Sequence, residues 1–416
     1  MNNDILQGVI ILIATRPMQV QLYMPVLRDQ LNDYCKVLIL DQAQQQALPA
    51  EDAQAFDVCH FVETAGTVDL FTLHKTEVLA ALIQQYSTQY GPEQCFVFST
   101  DEGNLENIAL AGKGLHAFAT DFDYTPLLRD KVKMKQHVQA TGIRTPRFKP
   151  LETTDNYATL CNSIGPELII KPIDSAGSVD VFQIKNAAEY AQFLATNPIP
   201  GRFQVEEFIN GTLYHVDSIK KDHQTAVYTI NEYLHPLKEF YAGLPSGSIA
   251  VEPEHPHFAV LSDFNESVLN AFPINGSFHA EYLVTQRGEV IFLEIACRQA
   301  GPPVHTGFQF KTGYWQSALQ LDLAMDVVTA DEIQLQTANR FSVYIPAEAG
   351  QYKGFNLPIP ESAYTVVSAP QKGTVCRPPT SCFDKLVEVT VHSEHYAQLY
   401  QYFQAIRQQG KLGVFA

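Results

Sequence analysis

The chain lacks a long apolar run, an excess of basic residues and any paired-cysteine motif. No stretch approaches the ~18 consecutive apolar residues that a membrane-spanning helix requires, so no span is expected. Lys and Arg number 28 against 45 Asp and Glu, a formal net charge of −17. That balance excludes nucleic acid or an anionic membrane as the main partner, while local cations can still hold an anionic small ligand. The 7 cysteines are scattered and contain no CxxC, which excludes a disulfide framework or structural zinc and fits reduced thiols in the cytoplasm. The first residues, MNNDILQGVIILIAT, have no basic n-region, and their apolar run closes at Arg16-Pro17. They read as a buried strand and not as a signal peptide. The turn after this strand has no GxGxxG, and no Walker-type GK[ST] accompanies a glycine loop.

What is present can build cores. Apolar residues make up 46% of 416 residues, and a chain of that length divides into two to four units. Residues 8–14 and 35–40, the run 58–62 and the segment Cys95–Phe98 alternate with amphipathic stretches. This order predicts an open parallel α/β domain over residues 1–118. A Lys- and Gln-rich helix follows from Arg129 to Thr141, then short strands at 168–170, 181–184 and 203–205. Residues 214–220 and 226–233 form a hairpin. Residues 234–256, crowded with Pro and Gly, read as a mobile surface loop.

The stretch Phe278–Arg298, FHAEYLVTQRGEVIFLEIACR, reads as a second hairpin turning at Arg287-Gly288. With that tip, facing residues have numbers summing to 575, so Glu281 lies opposite Glu294 and His279 opposite Ala296. Alternation puts Phe278, Ala280, Tyr282, Val284, Ile291, Leu293, Ile295 and Cys297 on a core face. Like charges placed directly across a sheet repel, so the two glutamates invite a shared proton or a cation. Mg²⁺ suits them, because it takes one or two carboxylates and completes its shell with water and phosphate oxygens. Lys171 closes an apolar strand and runs into Ser175-Ala176-Gly177-Ser178, a small-residue loop whose amides can cradle phosphate. Cys297 faces the core on this register and is rejected as a nucleophile. Lys238 is a further candidate for a contact with phosphate or substrate, and His305 for one with substrate.

Asp130-Lys131, TGIRTPRF, IIKP with its Ser/Gly loop, VEEFINGTLYHVD and E-x12-E followed by Arg298 stand in an order that resembles the ATP-grasp superfamily over residues 5–325. Within that superfamily the chain looks most like carboxylate–amine ligases of the amino-acid ligase and carnosine-synthase kind. The resemblance implies an α/β and α+β multidomain protein. An N-terminal open parallel domain (1–118) precedes a small ATP-grasp lobe (119–205), a large lobe with the metal site (206–325) and a small β-rich C-terminal part (326–416). It implies ATP with Mg²⁺, or Mn²⁺ in its place. Lys131, Lys171 and residues Ser175, Ala176, Gly177 and Ser178 would meet the phosphates. Glu206, Glu207 and Phe208 would read adenine, the last two through backbone groups, and His215 or Asp217 the ribose. Glu281 and Glu294 would hold the metal, with Arg298 and Lys171 catalytic. The partners implied are a small-molecule carboxylate and an amine, with no nucleic acid or membrane and with homodimerisation allowed. Carboxylation through a related intermediate, and nucleotide binding without turnover, are the alternatives. Two residues depart from the family pattern: Ala296 stands where Asn is usual as a further metal ligand, and Asp180 where glycine is common.

Overall fold

The computed structural model describes residues 6–68, 71–113, 116–117, 124–197 and 200–416. Gly8–Ala14, uniformly apolar and fully buried, is the middle of a parallel five-stranded sheet whose spatial order is 58–62, 34–41, 8–14, 95–98, 116–117. The chain winds outward from Gly8–Ala14 in one direction and then restarts beside it with Cys95–Phe98. The carboxyl ends of these two adjacent strands therefore flank a crevice, the usual ligand position in open α/β sheets. Thr15, Arg16, Thr100, Asp101 and Glu102 emerge there.

A four-stranded antiparallel sheet (182–184, 168–172, 203–207, 148–150) follows, backed by the helices Tyr157–Ser163 and Ala187–Thr196. A larger eight-stranded sheet carries the Gly276–Thr285 and Val290–Ala296 strands at one edge, then Gly211–Lys221 and Gln224–Tyr233. It continues without a break through Ser246–Ala250 into Arg340–Pro346, Lys385–His392 and Tyr364–Ser368. The C-terminal strands thus extend the sheet that holds the two glutamates.

Two sequence expectations fail here for physical reasons. The stretch 234–256 is not a loose loop: Leu237–Ala242 is a short 3-10 helix, and Ser246–Ala250 is a fully buried strand inside the large sheet. Its glycine serves a close approach, since a Cβ at Gly247 would meet the Ser342 carbonyl oxygen at 2.4 Å. Composition marked this segment as a turn-former, but packing requires the small residues.

The Phe278–Arg298 hairpin does pair Glu281 with Glu294 and His279 with Ala296, by a different route from the one expected. The Thr285 amide donates to the Glu289 carbonyl and Gly288 takes φ 79°, giving a three-residue loop, Gln286 to Gly288. That shifts the pairing by one residue. A bulge at Leu293, where the register slips between Glu281 and Tyr282, shifts it back. On the second strand Val290 and Phe292 pack in the cluster of Tyr282 and Val284, while Ile291 is buried outside that cluster. Leu293 turns into the cleft next to Glu294.

Candidate active site

Four apolar residues around Lys171 bury the end of its strand, so its ammonium must find anions nearby. It lies 3.3 Å from Glu206 Oε1 and 3.2 Å from Glu294 Oε2. Burial alone would lower its pKa, but Glu206 and Glu294 outweigh that and hold it above the ordinary lysine value. The helix Lys131–Ala140 starts at Asp130, whose carboxylate accepts from the amides of Val132 and Lys133. One helical turn separates Lys131 from Lys135, and both are buried on the same face. Lys131 donates to the Ser175 carbonyl. Lys135 sits 2.7 Å from Glu206 Oε1, and burial pulls its pKa down to about 8 against the pull of that carboxylate. Only its spacing from Lys131 marks Lys135 in the sequence, and that spacing by itself describes any helix surface.

Among the phosphate-loop candidates, Gly177 and Ser178 both adopt left-handed backbone angles, φ 65° and 57°. Anion-holding nests set a left-handed residue beside a right-handed one so that successive amides turn to one side, and Gly177 supplies a left-handed member without steric cost. The loop is tied down from both neighbours: Lys131 holds the Ser175 carbonyl, and Tyr241 Oη donates to the Gly177 carbonyl at 2.8 Å. Tyr241 belongs to the stretch first read as mobile. Lys238 of the same short helix donates to Gln183 Oε1 at 2.8 Å and lines the cleft. Asp180 is exposed and lies outside the cavity lining, so its charge does not face the loop's concave side.

Arg298 reaches back to the parallel domain. Its Nε donates to Glu102 Oε2 at 2.8 Å, its Nη2 bonds the same oxygen, and its Nη1 donates to the Gln299 carbonyl at 2.9 Å. Arg129 pairs with the other Glu102 oxygen at 2.7 Å. Burial would raise the Glu102 pKa, but Arg298, Arg129 and Lys131 overcome it and hold the carboxyl at about 2. Neither Glu102 nor Arg129 was singled out from sequence; acidic and basic residues far apart in the chain carry no mutual signal until the fold joins them.

Two cavities meet at these residues. One is lined by Lys171, Ser175, Glu206, Glu207, Phe208, Ile209, Leu283 and Leu293; the other by Thr15, Arg16, Phe71, Glu102, Arg129, His279, Arg298 and Phe383. Lys131, Ala176, Ser178, Leu237, Glu281 and Glu294 line both. Glu281 and Glu294 fit a divalent cation: they are directly paired, partly exposed and turned into the space where the cavities join. Lysines beside Glu294, chiefly Lys131 and Lys171, overcome burial and hold its pKa well below the usual carboxylate range, so it is an anion ready to bind.

Several expected residues take other roles. His215 and Asp217 are fully buried and line neither cavity, so neither offers a ribose contact. Their strand presents them on the row that leads to the glutamates, but Tyr233 and His279 pack over them: His215 Nδ1 lies 3.0 Å from Asp217 Oδ2 and its ring 4.8 Å from that of Tyr233. The Glu207 and Phe208 amides already donate to the Arg147 and Glu167 carbonyls, which leaves carbonyl groups, not these donors, for a purine. The Glu207 side chain is bound by Arg144 and Arg147. His305 stacks on Trp315 at 5.0 Å outside both cavities, and burial lowers its pKa to about 4. Cys297 is buried, with its thiol pushed up to about 12 by burial, and is unsuited to act as a nucleophile.

Residues 128–302 match the family model of the ATP-grasp domain. An L-arginine-specific L-amino acid ligase of Bacillus subtilis is 26% identical over 288 residues, which are 65% of this chain and 67% of that protein. The crystal structure of an L-amino acid ligase from Bacillus licheniformis superposes with a TM-score of 0.70 at 16% identity, covering 98% of this chain and 99% of that one. The biotin carboxylase domain of a Hydrogenobacter thermophilus 2-oxoglutarate carboxylase, solved with MgADP and bicarbonate, gives a TM-score of 0.63 at 14% identity, covering 97% of this chain and 91% of its own.

Proposed function

For a chain that carries an ATP-grasp domain at residues 128–302, we propose an ATP-dependent ligase that activates a carboxylate, in the first instance that of an amino acid, and couples it to an amine. The observation that carries this reading is the meeting of two cavities at one set of charged residues. The cavity under Phe208 and Ile209 has the apolar walls that a purine needs, including Leu283 and Leu293. The other, between the parallel domain and the large sheet, has room for the acid and the amine.

In the first step a carboxylate oxygen attacks the γ-phosphorus and ADP leaves. Lys131 and Lys171 sit where the phosphates would cross from one cavity to the other, and the amides of Ala176 to Ser178 cap them. These fixed donors offset the charge that spreads over the transferring group without reorganising as it develops. A divalent cation held by Glu281 and Glu294 would add Lewis-acid neutralisation of phosphate oxygens. In the second step the amine nitrogen attacks the acyl carbon, the acyl C–O bond breaks, phosphate leaves and the nitrogen loses a proton. Arg298 borders the acceptor side of this junction with two of its nitrogens committed to Glu102, so its orientation is set before substrate arrives. Small-molecule substrates, Mg²⁺-ATP and a soluble protein are all consistent with this reading; among the described residues no helix is long and apolar enough to cross a membrane.

The decisive assay is product analysis with Mg²⁺-ATP against a matrix of amino-acid pairs. ADP and phosphate released only with certain pairs are expected. AMP and pyrophosphate would overturn the acyl-phosphate route, release stimulated by bicarbonate would replace ligation with carboxylation, and nucleotide binding without release would leave a binding protein. A second expectation concerns the nucleotide side. Lys171→Ala should lose about 10²–10³-fold in kcat/KM for ATP, read from initial rates at varied ATP. Unchanged ATP kinetics would place the phosphates elsewhere.

A further inference from the structure

The row of side chains next to the paired glutamates is Asp217, His279 and Ala296, three directly facing residues on adjacent strands. Ala296 brings no donor atom to this row. His279 does, and its orientation is fixed from behind: its Nδ1 lies 2.7 Å from Asp217 Oδ1, and Asp217 is fully buried. His215, 3.0 Å from the other Asp217 oxygen and 2.8 Å from Ser248 Oγ through its Nε2, holds that carboxylate in place. The buried cluster spends its inner atoms on itself, and its one outward atom is His279 Nε2.

That atom lies 3.6 Å from Glu281 Oε1, and His279 lines the cavity that Glu281 and Glu294 share. Two ligand atoms at ~2.1 Å from one ion and at right angles are about 3 Å apart, so a small tilt of either side chain brings the imidazole nitrogen to the same ion. A carboxylate behind a histidine, bonded to the nitrogen that does not face the metal, is the recurrent arrangement that fixes the tautomer of a metal ligand and raises its basicity. Tyr233 completes the surround, its hydroxyl donating to Glu281 Oε1 at 2.7 Å and lying 3.5 Å from His279 Nε2.

We propose that His279 Nε2 is a third protein ligand to the cation held by Glu281 and Glu294, and that this site accepts a divalent transition-metal ion such as Mn²⁺ in preference to Mg²⁺. The inference rests on the reading of Glu281 and Glu294 as the metal pair. Mg²⁺ prefers an all-oxygen shell, whereas imidazole nitrogen favours first-row transition ions.

The test uses the full chain labelled with ¹⁵N-histidine, loaded with Mn²⁺ and ADP, and examined by electron–nuclear double resonance at the manganese. A directly bound ¹⁵N coupling is expected. It should be lost in His279→Gln and kept in Tyr233→Phe, and His279→Gln should weaken Mn²⁺ binding in the presence of ADP by about 10–100-fold. Mn²⁺ bound with ADP but without a histidine coupling overturns the inference and leaves the glutamate pair standing. A coupling that survives His279→Gln also overturns it. If Mn²⁺ does not bind at all with ADP, the glutamate pair falls with it. Should that variant not fold, the labelled native chain still overturns the inference if Mn²⁺ binds with ADP and shows no histidine coupling.

Discussion

Glu294→Gln is expected to abolish measurable ADP release, a loss on the order of 10³-fold in kcat, while the protein keeps its fold. The substitution preserves shape and removes one charge. Glu294 is partly exposed and faces the cavity, so its loss leaves no sealed void. Lys171 retains Glu206, 3.3 Å away, as a counter-ion. What disappears is one of the two carboxylates at the junction of the cavities, where phosphate, cation and substrate meet. Far-UV circular dichroism and a melting curve beside the ADP assay separate catalysis from folding. Near-native ADP release would remove Glu294 from the reaction.

Glu102→Ala is expected to destabilise the protein by about 3–5 kcal/mol, because it strands the buried guanidinium of Arg129 and the largely buried one of Arg298 without their shared anion. Activity should fall as well, since Arg298 loses the group that orients it. The effect has a pH signature. The Glu102 carboxyl is held at about 2 in the folded state, below the ordinary value of about 4.3 for glutamate. A depressed folded-state pKa contributes stability that is complete above the unfolded value and vanishes as pH falls through the folded one. The stability gap between the native chain and Glu102→Ala should therefore be full near neutrality and shrink from about pH 4 towards pH 2. Urea unfolding at several pH values measures it, and a gap that does not narrow on acidification would mean that Glu102 is not held as an ion by the two arginines.

The parts of this protein legible in its sequence are those with a local period or a local order. The uniformly apolar Gly8–Ala14 announces a buried parallel strand, and the Lys- and Gln-rich run from Arg129 to Thr141 announces a helix, found at Lys131–Ala140. The facing of Glu281 and Glu294 was also reached from sequence, but only because two departures cancel: the turn has one residue more than a two-residue tip allows, and the bulge at Leu293 restores the count. A bulge leaves no pattern in composition, and so the reading that placed Leu293 in the core was wrong while the pairing beside it was right. Ser246–Ala250 failed for the converse reason. Its small residues serve a close strand contact that exists only once Arg340–Pro346 lies against it.

By itself, then, the sequence determined that Gly8–Ala14 is a buried strand and Phe278–Arg298 a hairpin, that an acidic chain nevertheless places Lys171 at the end of a buried strand, and that two glutamates share one face of that hairpin. These follow from side-chain alternation and from the cost of burying a charge, both of which act over a few residues. Only the tertiary structure decided that Glu102 holds Arg129 and Arg298, that Lys135 joins Lys171 on Glu206, that Tyr241 secures the Gly177 carbonyl, and that Asp217 aims His279 at Glu281. Each of these joins residues tens to hundreds of positions apart. Ion pairs and hydrogen bonds act over a few ångströms, so such partners become visible only when the packing of the sheets has brought them together.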